Sequence, residues 1–148
     1  MSKKDTALFA WAEQFIKFGA VGALCFLIDF ALYTLCNHLG IPYLISGIIG
    51  FSVSVVVNYL LSMRYVFKRR NDLSRRREFI IFVFLSVIGL GLNELLLYVC
   101  IDVYYDNNSQ LIVLVNNQLA KTIAKIIATI VVTVFNFVSR KVLLENKE

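Results

Sequence analysis

A few charged and amide side chains interrupt otherwise apolar stretches of this sequence. Asp29 lies within the run GALCFLIDFALYTL, Glu94 follows Asn93 in GLNELLLYVC, and Lys125 lies in a later apolar run. A charged side chain in hydrocarbon costs about 3 kcal/mol or more, so such groups pair with one another or mark a functional site. We therefore expect Lys125 to lie at the depth of Asp29 and Glu94 and to offset their charges, either as a salt bridge or as part of a binding site.

A second group of polar residues lies nearer the opposite ends of these apolar stretches. Its members are Lys17, Asn58, Arg64, Asn136 and Arg140. Arginine binds phosphate oxygens with two parallel hydrogen bonds, and asparagine can orient attached polar groups, so the group could hold an anionic headgroup. Two simpler roles stay open, because amides often join helices and interfacial cations often anchor them. Lys121 lies one helical turn from Lys125, and it could equally extend toward the outer headgroups.

Four apolar stretches carry these residues, and each is long enough to cross a membrane. They run from Phe15 to Cys36, Tyr43 to Arg64, Phe79 to Cys100 and Gln118 to Val138. A hydrocarbon core of about 30 Å requires about 20 apolar residues. Composition agrees, with 59% hydrophobic residues, 17% charged residues and a mean hydropathy of +0.73. The sequence therefore predicts an all-α integral membrane protein, in which residues 1–148 form a single polytopic domain of four transmembrane helices.

The basic residues predict the orientation of these helices. They cluster before the first stretch, in the segment KRRNDLSRRR between the second and third, and after the fourth. The other two connections, residues 37–42 and 101–117, contain no Lys or Arg. By the positive-inside rule both termini lie in the cytoplasm. The net charge of +5 is then mostly a topological signal, and it does not indicate nucleic-acid binding.

The two halves of the chain resemble one another. The aligned segments are residues 14–36 with 78–100, and residues 47–62 with 125–140. The alignment matches Asp29 with Asn93 and Asn58 with Asn136. Because each copy begins in the cytoplasm, the halves are predicted to be a parallel repeat of two hairpins. The alternative is the general likeness of apolar helices.

Residues for other kinds of chemistry are missing from the sequence. It has no GxxxxGK[ST] loop for a nucleotide and no HExxH, CxxC or GxSxG element. The single histidine, His38, falls in an outer connection, and two aspartates in DVYYD are too few for a divalent-metal site. Cys25, Cys36 and Cys100 fit packing roles better than a disulfide between the last two. We therefore expect neither an enzyme nor a bound metal or cofactor.

The polar marks within the apolar stretches resemble those of the GtrA-like family of small four-helix membrane proteins. The segments FIKFGAVGALCFLIDFALYTL, NYLLSMRYVF and NFVSRKVLL carry the resemblance, which extends from about Phe15 to Leu144. Its most specific parts are the spacing of Phe15, Gly19 and Asp29, and the pattern of Asn, an aromatic residue and a later Arg that ends the second and fourth spans. The second copy departs from the first, because RKVLLE lacks the aromatic residues that close RYVF.

This resemblance implies a flippase for undecaprenyl-phosphate-linked monosaccharides in the bacterial cytoplasmic membrane. Such a protein would work beside a polyprenyl-phosphate glycosyltransferase and an outer-face glycosyltransferase during glycosylation of surface polysaccharide. The phosphate would load at the second polar group and pass to Lys125 and Lys121, while Asp29 and Glu94 pair with the lysines or bind sugar hydroxyls. The candidate binding residues are Lys17, Asp29, Asn58, Arg64, Asn93, Glu94, Lys121, Lys125, Asn136 and Arg140.

Two other functions are compatible with the same residues. One is a non-transporting subunit that anchors or activates a membrane glycosyltransferase, with the polar groups serving assembly alone. The other is export of a small cation, which the lysines disfavour because they would repel such a substrate. For each of these functions, the flippase included, we expect contact with membrane lipids and assembly as a homodimer, because four short spans enclose little volume and glycines allow close helix contacts.

Overall fold

Four long helices make up most of this chain. A computed structural model describes residues 3–146, of which 87% are helical and none forms a strand. The helices are α1 (Lys3–His38), α2 (Tyr43–Leu61), α3 (Arg75–Tyr98), the short α4 (Ser109–Leu114) and α5 (Asn117–Leu144). The predicted all-α architecture is therefore confirmed.

Each long helix can cross a membrane by length and composition. The candidate spans are Asp5–His38, Tyr43–Val66, Arg75–Tyr105 and Asn117–Leu144, and their most apolar windows have mean hydropathies of 1.9 to 2.3. At most 28% of the residues in any of these windows are buried. Most apolar side chains therefore face outward, which suits contact with lipid tails that are as apolar as leucine. The chain is a multi-pass membrane protein, whereas its orientation, its parallel repeat and its self-association stay predictions.

The second and third helices both end in a wider turn. Residues Ser62–Val66 and Val99–Tyr105 are π-helical. The amide of Phe67 donates to the carbonyl of Ser62 at 2.9 Å, and that of Asp106 donates to Ile101 at 2.9 Å, each across five residues. Such turns occur often at functional sites. The second π-helical turn and α4 occupy most of the segment predicted as an outer loop.

The chain divides into two compact units, of which the first contains residues 3–82 and 143–146. Here α1 packs along α2, and small side chains lie at the contact. Cys25 of α1 is buried, as are Ser46, Gly50 and Ser54 of α2. Small residues let two helix backbones approach closely, which is how helices pack where no hydrophobic effect drives them together. The ring of Phe18 also meets the ring of a residue after α2, Phe67, with centroids 5.8 Å apart.

The connection between α1 and α2 is closed by one glycine. Gly40 has φ of 83°, a backbone conformation that glycine adopts without steric cost. Its amide donates to the carbonyl of Asn37, and the amide of Ile41 donates to that of Cys36. These two bonds form a Schellman motif, which satisfies the last carbonyls of α1 and lets α2 begin after Pro42.

Gly50 is expected to tolerate no side chain, whereas Gly47 on the same helix should. A Cβ on Gly50 would lie 2.9 Å from the backbone oxygen of Asp29 and closer still to its Oδ1, while a Cβ on Gly47 would meet nothing within 4 Å. We expect Gly50→Ala to lower stability by about 1–3 kcal/mol, because the α1 backbone must move. Gly47→Ala should leave stability unchanged or slightly higher, since alanine favours helix. Thermal unfolding of both variants in micelles tests this, and equal shifts would contradict the close contact.

The second unit, Val83–Val142, is formed mainly by parts of α3 and α5. The two helices meet where Gly89 is buried against the side chain of Asn136, whose Nδ2 lies 2.8 Å from the position of a Cβ on the glycine. Ala124 and Ala128 of α5 are also buried. Beyond α3, the hydroxyl of Tyr105 donates to the carbonyl of Val115 at 2.6 Å and holds the segment that contains α4. All three cysteines of the chain are free.

Candidate functional site

A cation, an amide and a carboxylate are linked within the membrane-spanning part of the second unit. Lys125 Nζ donates to Asn93 Oδ1 at 3.2 Å, and Asn93 Nδ2 donates to Glu94 Oε1 at 3.0 Å. We call these three residues the Lys125 group. Lys125 and Glu94 are exposed on the surface of the chain and Asn93 is half-buried. Because Lys125 lies roughly 12 Å from the start of α5 at 1.5 Å per residue, the group occupies a depth where lipid normally surrounds a helix.

Asn136 and Arg140 lie inside the same helix pair. Arg140 is 3% exposed, and its Nη2 donates to Ser86 Oγ of α3 at 2.8 Å. The amide of Asn136 lies against Gly89, and among the described residues its Oδ1 has no hydrogen-bond partner. In this position Arg140 joins α5 to α3. That favours a helix-joining role over contact with a lipid headgroup for this residue.

In the first unit, Asp29 of α1 and Asn58 of α2 make their contacts within the α1–α2 pair and its π-helical end. The half-buried Asp29 packs against Gly50, and within the first unit its carboxylate makes no hydrogen bond or ion pair. Asn58 Oδ1 accepts a hydrogen bond from the hydroxyl of Ser62 at 2.9 Å. That bond joins α2 to its own π-helical end. The pairing of Asp29 with Lys125 stays a prediction.

The remaining predicted site residues are exposed cations. Lys17 forms an ion pair with Glu13, one helical turn earlier on α1. The guanidinium of Arg64 lies 5.4 Å from the ring centroid of Tyr65. Lys121 has no hydrogen-bond partner among the described residues, in keeping with a side chain that extends toward headgroups.

The sequence analysis missed a buried ion pair at the start of α3. Glu78 is fully buried and accepts two hydrogen bonds from Arg69, at 2.9 and 2.8 Å, and one from the hydroxyl of Tyr59 at 2.6 Å. We call these three residues the Glu78 cluster. The hydrogen bond to Glu78 raises the pKa of the Arg69 guanidinium. One feature of the sequence could have indicated this ion pair. Glu78 directly follows three arginines, residues 75–77, at the start of α3.

The segment after α2 is also tied to the end of the chain. Gln14 Nε2 donates to the carbonyl of Val66 at 2.8 Å and to Glu145 Oε1 at 2.6 Å. The amide of Asn146 donates to the carbonyl of Lys68 at 2.8 Å, which makes an isolated antiparallel bridge beside this contact. These bonds fix the basic segment between α2 and α3 at one end.

One exposed ion pair lies further along that segment. Arg70 Nε donates to Asp72 Oδ1 at 2.9 Å, and this hydrogen bond lowers the pKa of the Asp72 carboxyl. Both groups are reached by solvent, so the pair adds little to stability. The same segment thus contains a buried arginine–carboxylate pair and an exposed one.

One comparison with known proteins gives a match. A family model described as GtrA/DPMS, transmembrane domain, matches residues 17–144. The match includes every candidate site residue from Lys17 to Arg140. Neither the curated proteins nor the solved structures give a significant match.

Proposed function

Because this chain belongs to the family of GtrA/DPMS transmembrane domains, we propose that it moves a polyprenyl-phosphate-linked monosaccharide to the outer leaflet of the bacterial cytoplasmic membrane. The family links the chain to processes that use polyprenyl-phosphate sugars. The observation that carries the proposal is the Lys125 group, a set of polar side chains exposed on apolar helices. The translocated sugar would then serve glycosylation of surface polysaccharide.

The chemistry of the Lys125 group matches the head of such a lipid. A lysine ammonium has three N–H donors, of which Asn93 accepts one, so two remain for phosphate oxygens. The carboxylate of Glu94 accepts hydrogen bonds from sugar hydroxyls, and the Asn93 amide both donates and accepts. The polyprenyl tail stays in lipid throughout, so the protein has to accommodate the phosphate and the sugar only.

The energetic cost of the Lys125 group also favours ligand binding. An exposed charge at membrane depth costs about 3 kcal/mol or more, and helices that only pack together do not need it. In the structure Lys125 and Glu94 both form a hydrogen bond with the side-chain amide of Asn93, which brings their opposite charges near one another. A phosphate and a sugar supply further hydrogen bonds at this depth, so the same side chains lower the barrier for the head to cross.

The length of α1 favours a second function, a non-transporting subunit that anchors or activates a membrane glycosyltransferase. The helix has 36 residues. At 1.5 Å per residue this is about 54 Å, against a hydrocarbon core of about 30 Å. Near its start, Leu8, Phe9 and Trp11 are 71%, 66% and 47% exposed. An exposed apolar stretch of this kind can bind a partner protein.

Reconstitution in vesicles separates the two functions. We expect the purified chain, without any transferase, to make nearly all of a polyprenyl-phosphate-linked sugar accessible to an external glycosidase within minutes. Protein-free vesicles should expose only the outer half, because the polar head crosses lipid slowly. If the accessible fraction stays at one half with the protein present, and addition of a transferase raises glycosyl transfer instead, the transport proposal is wrong and the second function holds.

A further inference from the structure

A cavity with a strongly basic lining lies next to the Glu78 cluster in the first unit. Its volume is about 740 Å³, which falls within the ~300–1,000 Å³ of ordinary ligand pockets. It is lined by Tyr59, Leu60, Met63, Arg64, Arg69, Arg75, Arg76 and Glu78. Four arginines face one glutamate, a formal excess of three positive charges. The sequence analysis used Arg69, Arg75 and Arg76 to predict the membrane topology, and it counted only Arg64 among the candidate binding residues.

The single acid in the lining of the 740 Å³ cavity is already neutralised. Both carboxylate oxygens of Glu78 accept hydrogen bonds from Arg69, and Tyr59 donates a third. A bound anion therefore meets no free carboxylate of this cluster. The Glu78 cluster therefore lines one side of the cavity, and the positive charge available to a ligand comes from Arg64, Arg75 and Arg76.

Three arginines of the lining have no carboxylate as an ion-pair partner among the described residues. Within residues 3–146, Arg64, Arg75 and Arg76 form no ion pair. Arg75 and Arg76 also open α3, where cations are unfavourable because the helix dipole is positive at its N-terminus. An anion bound between these guanidinium groups would offset both their mutual repulsion and the dipole. Arginine is suited to this, because its planar group binds phosphate oxygens in pairs.

One side of the cavity is apolar and continues onto the surface of α2. Leu60 and Met63 lie one helical turn apart in the lining, and Leu60 is 57% exposed. Both belong to a candidate membrane span, Tyr43–Val66. A ligand with a phosphate and a hydrocarbon chain could place the phosphate among the arginines and the chain along these side chains.

From these observations we infer that Arg64, Arg75 and Arg76 form a phosphate-binding site beside the Glu78 cluster. The group bound is a phosphate ester, carried either by a membrane lipid with a long hydrocarbon chain or by a soluble molecule. The inference rests on the proposed function in one respect, since a polyprenyl phosphate is the lipid that this function supplies. It assigns the first contact of that phosphate to arginines outside the Lys125 group.

The test is lipid binding to the full chain in micelles, measured by native mass spectrometry. The probes are undecaprenyl phosphate, the uncharged polyprenol of the same length, and inorganic phosphate as a competitor. We expect the double variant Arg75→Gln with Arg76→Gln to raise the dissociation constant for undecaprenyl phosphate at least tenfold. The matched control is Arg77→Gln, which removes an exposed charge from the same turn outside the cavity lining, and it should change binding less than twofold.

Each outcome of this test decides the inference. Displacement of the lipid by millimolar inorganic phosphate would identify a site open to soluble phosphate, and no displacement would identify a lipid site; both support the inference if Arg75 and Arg76 are required. Equal binding of polyprenol and undecaprenyl phosphate, or equal losses in the double variant and Arg77→Gln, would overturn it. If the double variant unfolds, Arg64→Gln replaces it, with an expected weakening of at least threefold.

The binding measurement and the transport assay can fail separately, so the phosphate site and the proposed function are tested independently. Binding that needs Arg75 and Arg76, in a protein that fails to move lipid in vesicles, would remove the transport proposal and leave the phosphate site. Transport without any contribution of these arginines to binding would do the reverse.

Discussion

Replacing Glu78 with alanine is expected to lower the free energy of unfolding by about 3 kcal/mol, near the lower end of what loss of one partner of a buried ion pair costs. The carboxylate is fully buried and accepts three hydrogen bonds from Arg69 and Tyr59. Alanine leaves these donors without an acceptor. The cost stays near the lower end because the Arg69 side chain is 36% exposed, so water can reach it. Thermal unfolding of the purified variant in micelles measures the change.

The exposed pair on the same segment supplies the control. Asp72→Ala also removes a carboxylate from an arginine, Arg70, but both groups are solvated, so we expect no measurable change in stability. Glu78→Gln keeps the shape of the side chain and part of its hydrogen bonding, and it should fall between the two. Similar unfolding temperatures for Glu78→Ala and Asp72→Ala would show that the buried cluster does not stabilise the first unit.

Replacing Lys125 with methionine is expected to slow lipid translocation at least tenfold without loss of folded protein. Methionine keeps a long, flexible side chain but removes the ammonium that donates to Asn93 and, in our proposal, to the phosphate. Lys125→Arg should retain more activity than the methionine variant, since it keeps the charge with a different geometry. The measurement is the rate of lipid exposure in reconstituted vesicles, normalised to the amount of protein.

A threonine on the same helix provides the comparison for Lys125. Thr122 is exposed, and its hydroxyl donates to the carbonyl of Gln118 one turn earlier. Thr122→Val keeps the shape and removes that bond, so its effect on translocation should be less than twofold. Full activity of Lys125→Met would exclude the Lys125 group as the site that meets the phosphate.

The sequence predicted the helices well because hydropathy reports directly on contact with lipid. It placed four spans, and the structure has four helices that can cross a membrane. It could not give the helix ends, because a helix continues beyond the hydrocarbon wherever its residues allow. Thus α1 begins at Lys3, twelve residues before the predicted span, in a segment rich in alanine and other good helix formers. The hydropathy pattern also gives no signal for the π-helical turns at the ends of α2 and α3.

The sequence predicted the depth of the candidate site residues but not which side chains contact one another. Depth along a helix can be counted from the sequence, so Lys125 and Glu94 were placed at a similar level. The direction of each side chain depends on helix rotation and packing, and the structure gives Asn93, the neighbour of Glu94, as the acceptor for Lys125. The Glu78 cluster was missed because the segment between α2 and α3 returns Arg69 to Glu78, and no helical periodicity predicts that return.

The first unit contains residues from both ends of the sequence, and this affects the order in which it can be completed during synthesis. Leu144 is fully buried and Glu145 binds Gln14, yet both are made after the whole second unit. At about 5–20 residues per second, the 60 residues Val83–Val142 delay them by about 3–12 s. During that interval the first hairpin is in the membrane without its last contacts. A chain that stalls before its fourth span therefore lacks the hydrogen bond between Gln14 and Glu145.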